Sequence, residues 1–227
     1  MNILTIDIDF ISNHYLQGEL AKNVGKKITE QYWESVLELS GVMPHSLEEN
    51  RHNVRYIFDL FMKSIMNNDN IVFGYHHDAI LNHIDLESKE KIFLMNVDHH
   101  HDQGYCDYHD IQTNLMNESD EGAWVNLLQD RIKEYIWVKN KNSEVNKLNP
   151  PYPSFSCEYK DAPKFGEDHK WDLIYVCLSP SYTSDVHWHY FYLLVDMYRN
   201  LKNKEATIDV GRFTKELTNY EEQYLGK

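Results

Sequence analysis

The run Asn96-Val97-Asp98-His99-His100-His101-Asp102 sets carboxylate, imidazole and carboxylate at alternate positions, Asp98, His100 and Asp102, directly after the apolar stretch Ile92 to Met95. Alternate residues of a strand share a face, so this spacing can aim three metal-competent groups at one point where a strand ends. Asp7 and Asp9 repeat the device on an apolar strand containing Leu4, Ile6 and Ile8. They would lie about 6 to 7 Å apart along an extended backbone, a span that could serve two ions about 3.5 to 4 Å apart. His76 and His77 follow a third apolar stretch, Ile71 to Phe73. Four carboxylates and at least two imidazoles suffice for a two-ion site. Such oxygen-rich sets favour hard divalent cations such as Mn²⁺, although zinc and iron accept the same ligand types.

Clustering is what distinguishes these histidines, since five of the 13 fall at positions 76, 77, 99, 100 and 101. His14, His45, His52, His83 and His169 stand alone, and a lone histidine is usually a satisfied structural residue. The ends of parallel strands are where open α/β sheets place their ligands.

The elements that must position these groups follow from periodicity. Asn2 to Ile8 reads as a buried first strand, with Thr5, Asp7 and Asp9 on one face and Leu4, Ile6 and Ile8 on the other. Helices are expected near Lys27 to Leu39 and Leu47 to Met66, then strands at Ile71 to Phe73 and Lys91 to Val97. Trp124 to Ile132 reads as helix, Tyr135 to Val138 and Leu173 to Leu178 as strands, and Tyr190 to Leu201 as a late helix. Strand and helix in alternation imply one three-layer α/β/α domain over residues 1–227 with a mainly parallel sheet. Asn140 to Lys170, rich in Asn, Lys and Pro, is expected to be a long loop or insertion.

Composition narrows the function classes. The 36 acidic and 22 basic residues give a formal charge of -14, a field that repels nucleic acid and attracts cations. Cys106, Cys157 and Cys177 form no CxxC pair, which argues against a disulfide framework and for a reducing, cytoplasmic setting. No apolar run approaches the length of a membrane span, and MNILTIDIDF lacks the marks of a secretory signal.

These motifs resemble the ureohydrolase superfamily of arginases, agmatinases and related deacetylases, in which a histidine, a DxHxD segment and an SxDxD segment hold two Mn²⁺. Asp98, His100 and Asp102 match DxHxD, and Thr5-Ile6-Asp7-Ile8-Asp9 is similar to SxDxD with threonine for serine. The second motif comes late in arginases, so its early position here implies an arginase-like fold with permuted motif order. Ile6-Asp7-Ile8-Asp9-Phe10, His76-His77-Asp78-Ala79 and Gly122-Ala123-Trp124 resemble more closely the peptide arginases, which convert arginine to ornithine within ribosomal peptide precursors.

The resemblance implies a ligand set of Asp7, Asp9, His77, Asp98, His100 and Asp102 around two Mn²⁺, with His76 in reserve for His77. It implies hydrolysis of the guanidino group of arginine, within a peptide, to ornithine and urea by attack of hydroxide. Asp102 would take the proton of the attacking water and hand it to the departing nitrogen, with His109, His76 or His101 as the shuttle. A planar cationic guanidinium also calls for carboxylates and an aromatic face. Glu118, Trp124 and Ser181, the last in the Ser179-Pro180-Ser181 turn after a buried strand, are the candidates, although acidic residues 118, 120 and 121 better suit a helix start and Trp124 equally suits a core position. A deacetylase-like amide hydrolase and a non-catalytic, metal-stabilised binding protein are the alternatives.

Overall fold

The computed structural model describes residues 1–11, 47–103, 123–141, 143, 154–166, 169–179, 183 and 187–209. Seven strands, β1 (Asn2–Asp7), β2 (Ile71–Gly74), β3 (Ile92–Asp98), β4 (Ile132–Lys139), β5 (Ser154–Glu158), β6 (Leu173–Cys177) and β7 (Thr207–Asp209), form one sheet. Its order is β5-β4-β3-β1-β6-β2-β7, and every pairing is parallel. Strands β1, β3 and β6 are buried on nearly every residue, which is why their sequences read as continuous apolar runs.

Helices α1 (Leu47–Met66) and α2 (Trp188–Lys202) cover one face. Ile57, Phe61 and Ile65 of α1 recur every fourth residue and pack with Phe191, Leu194, Val195 and Tyr198 of α2 against Leu4, Ile6, Phe73 and Val176. Asn203 ends α2 in the left-handed conformation, the stop that asparagine tolerates without a glycine. The other face holds Ile3, Leu94, Tyr135 and Tyr175, covered by the 3-10 segments His77–His83 and Trp124–Arg131. The result is three layers around a parallel sheet. Crossovers running toward β7 pass over the α1/α2 face and those from β2 to β3 and β3 to β4 over the other, as a constant crossover hand requires.

Several sequence expectations change in detail. Strand β1 stops at Asp7 and residues Ile8–Ile11 form a 3-10 turn, so Asp9 reaches the site from a turn and not along a strand face. Trp124–Arg131 is a 3-10 segment, and Ile132 already belongs to β4. Within the expected loop from Asn140, residues Ser154–Glu158 add an edge strand beside β4. Edge strands need only one buried face, and its Phe155 is exposed, so the run is too short and too polar to stand out among the prolines. Strand β7 was not anticipated either; at three residues it has no periodicity to read. The helix expected at Lys27 to Leu39 lies outside the described residues. No helix among the described residues is long and apolar enough to cross a membrane.

Candidate metal centre

Central strand β1 lies between β3 and β6, with β2 beyond β6, and the C-terminal ends of these strands converge. Asp7 closes β1, Asp98 closes β3, and His77 begins the 3-10 segment just beyond β2. Among the described residues, two three-residue groups are close enough to hold an ion each: Asp7, His77 and Asp98, and Asp9, Asp98 and His100. Asp98 belongs to both.

Nδ1 of His77 lies 3.2 Å from Asp7 Oδ2, 3.0 Å from Asp98 Oδ2 and 2.9 Å from Asp102 Oδ2. In the second group, Nδ1 of His100 lies 2.7 Å from Asp9 Oδ2 and 3.7 Å from Asp98 Oδ1. Neither nitrogen of His77 has a hydrogen-bond partner of acceptable alignment, and nor does Asp9 Oδ2, although all are buried. Buried polar atoms are rarely left so. An octahedral ion with bonds of about 2.1 Å sets neighbouring donor atoms about 3 Å apart, and the contacts around His77 have that spacing. The residues therefore fit a metal ion.

Electrostatics make the same demand. Burial, then the charge of Asp98, holds the Asp7 carboxyl above its usual range. Burial, then Asp7 and Asp98, pushes Asp9 well above it, and burial and Asp98 do the same to Asp102. Asp98 moves the other way: burial opposes its charge, but contact with His77 and the charge of His100 hold it below the ordinary carboxylate range. Burial also opposes a charge on His77, yet Asp102, with Asp7 and Asp98, holds it well above the usual imidazole range. Carboxylates this close ionise together only if cations compensate them.

Neighbouring polar groups orient the clustered carboxylates. Ser179, just past β6, donates its hydroxyl to Asp7 Oδ2. The amide of Asp9 donates to Asp7 Oδ1 (3.0 Å), that of His99 to Asp9 Oδ1 (3.1 Å), and that of His100 to Asp98 Oδ1 (2.7 Å). Asp102 and Ser179 both have left-handed backbone, with φ of 52° and 46°. Such residues cost of order 1–3 kcal/mol each and concentrate at functional sites.

Trp124 is fully buried and donates its indole N–H to Asp102 Oδ2 at 2.7 Å, with its ring 5.0 Å from that of His77. It therefore orients a carboxylate from within the core, the position the sequence offered as the alternative to a substrate contact. Trp124→Phe keeps the aromatic volume but removes that donor; unfolding in urea is expected to show a loss of about 1–3 kcal/mol. Tyr175 donates to the carbonyl of His76 at 2.7 Å, anchoring the turn that presents His77. Its phenol crosses Gly74 so closely that a Cβ there would collide with it. Gly74→Ala is expected to cost at least about 1–3 kcal/mol through overpacking, read as a fall in thermal midpoint.

Of the residues singled out in the sequence, Asp7, Asp9, His77, Asp98 and His100 come together in the two groups, and Asp102 joins through His77. His76 belongs to neither group. His101 packs its ring on Trp137 and accepts the amide of Gln103 at Nδ1; burial, then the charge of His100, lowers it to about 4. His99 is lowered by burial and His100 to about 3. Both are neutral near pH 7. His109, Glu118 and Ser181 lie outside the described residues. Asn96 was missed, whereas the Ser179-Pro180-Ser181 turn was singled out from its place after a buried strand, and its Ser179 does reach Asp7. Compared with protein-family models, curated proteins and solved structures, the chain matches none.

Proposed function

We propose that this protein is a hydrolase dependent on two divalent cations, Mn²⁺ by preference, acting on the guanidino group of arginine within a peptide to give ornithine and urea. The observation that carries the reading is the pair of ligand groups joined through Asp98, an arrangement suited to two ions a few ångströms apart. Bound there, the cations would supply an activated water near neutral pH.

The chain's own residues do the rest. Asp7, Asp98 and His77 would hold one cation, and Asp9, Asp98 and His100 the other. Asp102, which joins the cluster through His77 at 2.9 Å, would both bind metal and take the water's proton, returning it to the departing nitrogen. Trp124 fixes the orientation of Asp102 for that transfer. The formal charge of -14 favours a cationic substrate over a phosphorylated one. A peptide in place of free arginine follows from the resemblance to peptide arginases. The setting is the reducing cytoplasm, in keeping with the free, buried Cys157 and Cys177.

The test is urea release by purified, Mn²⁺-loaded protein from free arginine, agmatine and arginine-containing peptides. Release from peptides is the expected result. Urea from none of the three would sink the guanidino reading, and deacetylation of an acyl-lysine peptide instead would point to an amide hydrolase. Turnover of neither, with Mn²⁺ still bound, would leave a metal-stabilised binding protein.

A further inference from the structure

Thr5 and Asn96 face each other across the central strand pair, in direct register between β1 and β3, and both are fully buried. A core position between parallel strands normally holds Val or Ile, because a polar side chain there is costly unless its hydrogen bonds are all made. Here they are made. Thr5 Oγ1 donates to Asn96 Oδ1, and Asn96 Nδ2 donates to Asp98 Oδ2 at 3.3 Å and to the hydroxyl of Tyr135 at 3.3 Å. Tyr135, on β4, donates in turn to the carbonyl of His101 at 2.7 Å. Three adjacent strands thus contribute one side chain each to a chain of hydrogen bonds that ends on the carboxylate shared by both ligand groups.

That carboxylate is pinned on its other side as well. Its Oδ1 accepts the amide of His100, and the carbonyl of Asp98 accepts the indole N–H of Trp137 at 3.0 Å. Asn96 supplies the side-chain donor to Oδ2, the oxygen that lies 3.0 Å from His77. If Asp98 rotated about its side-chain bond, it could serve one ligand group and not the other.

We propose that Asn96, held by Thr5 and Tyr135, is a positioning residue that fixes Asp98 facing both ligand groups and so governs the binding of a second cation beside the first. The proposal rests on the two-cation reading of this centre but is independent of the substrate. Outer-shell partners of ligating carboxylates change metal affinity by about 10- to 100-fold. The weaker of the two binding steps carries that loss, because one cation can still draw Asp98 to itself.

The test is calorimetric titration of Mn²⁺ into the wild-type chain, Thr5→Val, Thr5→Ser and Tyr135→Phe, with electron paramagnetic resonance of the loaded samples to detect magnetically coupled ion pairs. The wild type is expected to take two ions with a coupled spectrum. Thr5→Val and Tyr135→Phe should weaken one binding step by about 10- to 100-fold and lose coupled signal at equal loading, while Thr5→Ser restores both. A merely structural loss would lower the thermal midpoint without removing coupling from the folded fraction. If Thr5→Val does not fold, Tyr135→Phe and Thr5→Ser read the same question. Two tight steps and an unchanged coupled spectrum in Tyr135→Phe would overturn the positioning role while leaving the hydrolase reading intact. A wild type that binds one ion or none would overturn both.

Discussion

Adding Mn²⁺ at pH 7.5 is expected to raise the thermal midpoint of the purified protein by several degrees, and a chelator is expected to reverse the gain. A ligand at 100 times its dissociation constant stabilises by about 2.7 kcal/mol, and each kcal/mol moves the midpoint of a chain this size by about 2–4 °C. The sign of the pH dependence follows from the buried groups. Asp7, Asp9 and Asp102 are raised by burial and by neighbouring carboxylates. Their contribution to metal-free stability is therefore fully present below their unfolded value of about 4 and is lost as pH rises through the raised folded values.

His77 is also raised, because Asp102, Asp7 and Asp98 outweigh its burial; its contribution is present below about 6.5 and is lost as pH climbs through its folded value. Asp98 runs opposite, since contact with His77 lowers it despite burial, and its contribution disappears only in acid. The metal-free protein should thus lose stability as pH rises above about 4 and further above about 6.5, where cations replace protons at the same groups. The gain from Mn²⁺ should grow over that range and be small at pH 5. A cation-induced shift that is equal at pH 5 and 7.5, or absent at both, would show that this cluster is not where the ions bind.

Asp98→Ala is expected to remove both cations at once and to lower turnover by at least about 10³-fold. The reason is topological: Asp98 alone belongs to both ligand groups. His100→Ala should act differently. It leaves Asp7, His77 and Asp98 intact, and its side chain, 16 % exposed against 1–4 % for the others measured beside it, sits at the open side of the cluster. That variant is expected to keep one ion per chain by elemental analysis while losing most activity. Equal ion content in the two variants would contradict the assignment of Asp98 as the shared ligand.

The parts of the fold that were legible in the sequence are those where one physical requirement dominates. Strands β1, β3 and β6 are buried on both faces, so they appear as unbroken apolar runs, and α1 and α2 show helical spacing because one side of each packs on the sheet. The edge strands β5 and β7 have weaker requirements and weaker signals. At the centre, charge and spacing exposed Asp7, Asp9, His77, Asp98 and His100, since each ligand follows the apolar end of a strand. Asn96 was not legible because an amide in a sequence does not reveal what it will face after folding, and Ser179 was legible only as part of a turn that follows a buried strand. Thr5 was read as part of a ligand motif, but its hydroxyl bonds Asn96.

The strand order has a kinetic consequence. β1, the first strand of the sheet in chain order, does not pair with β2, the next; it sits between β3 and β6, whose paired residues are about 90 and 170 positions away along the chain. Asp7 therefore meets Asp98 only after β3 arrives, and meets Ser179 only after β6 has inserted between β1 and β2. No partly folded fragment containing β1 and β2 alone can offer the complete ligand set. Cations should accordingly slow unfolding far more than they speed folding, so that the metal acts as a latch on a finished sheet and not as a seed for building it.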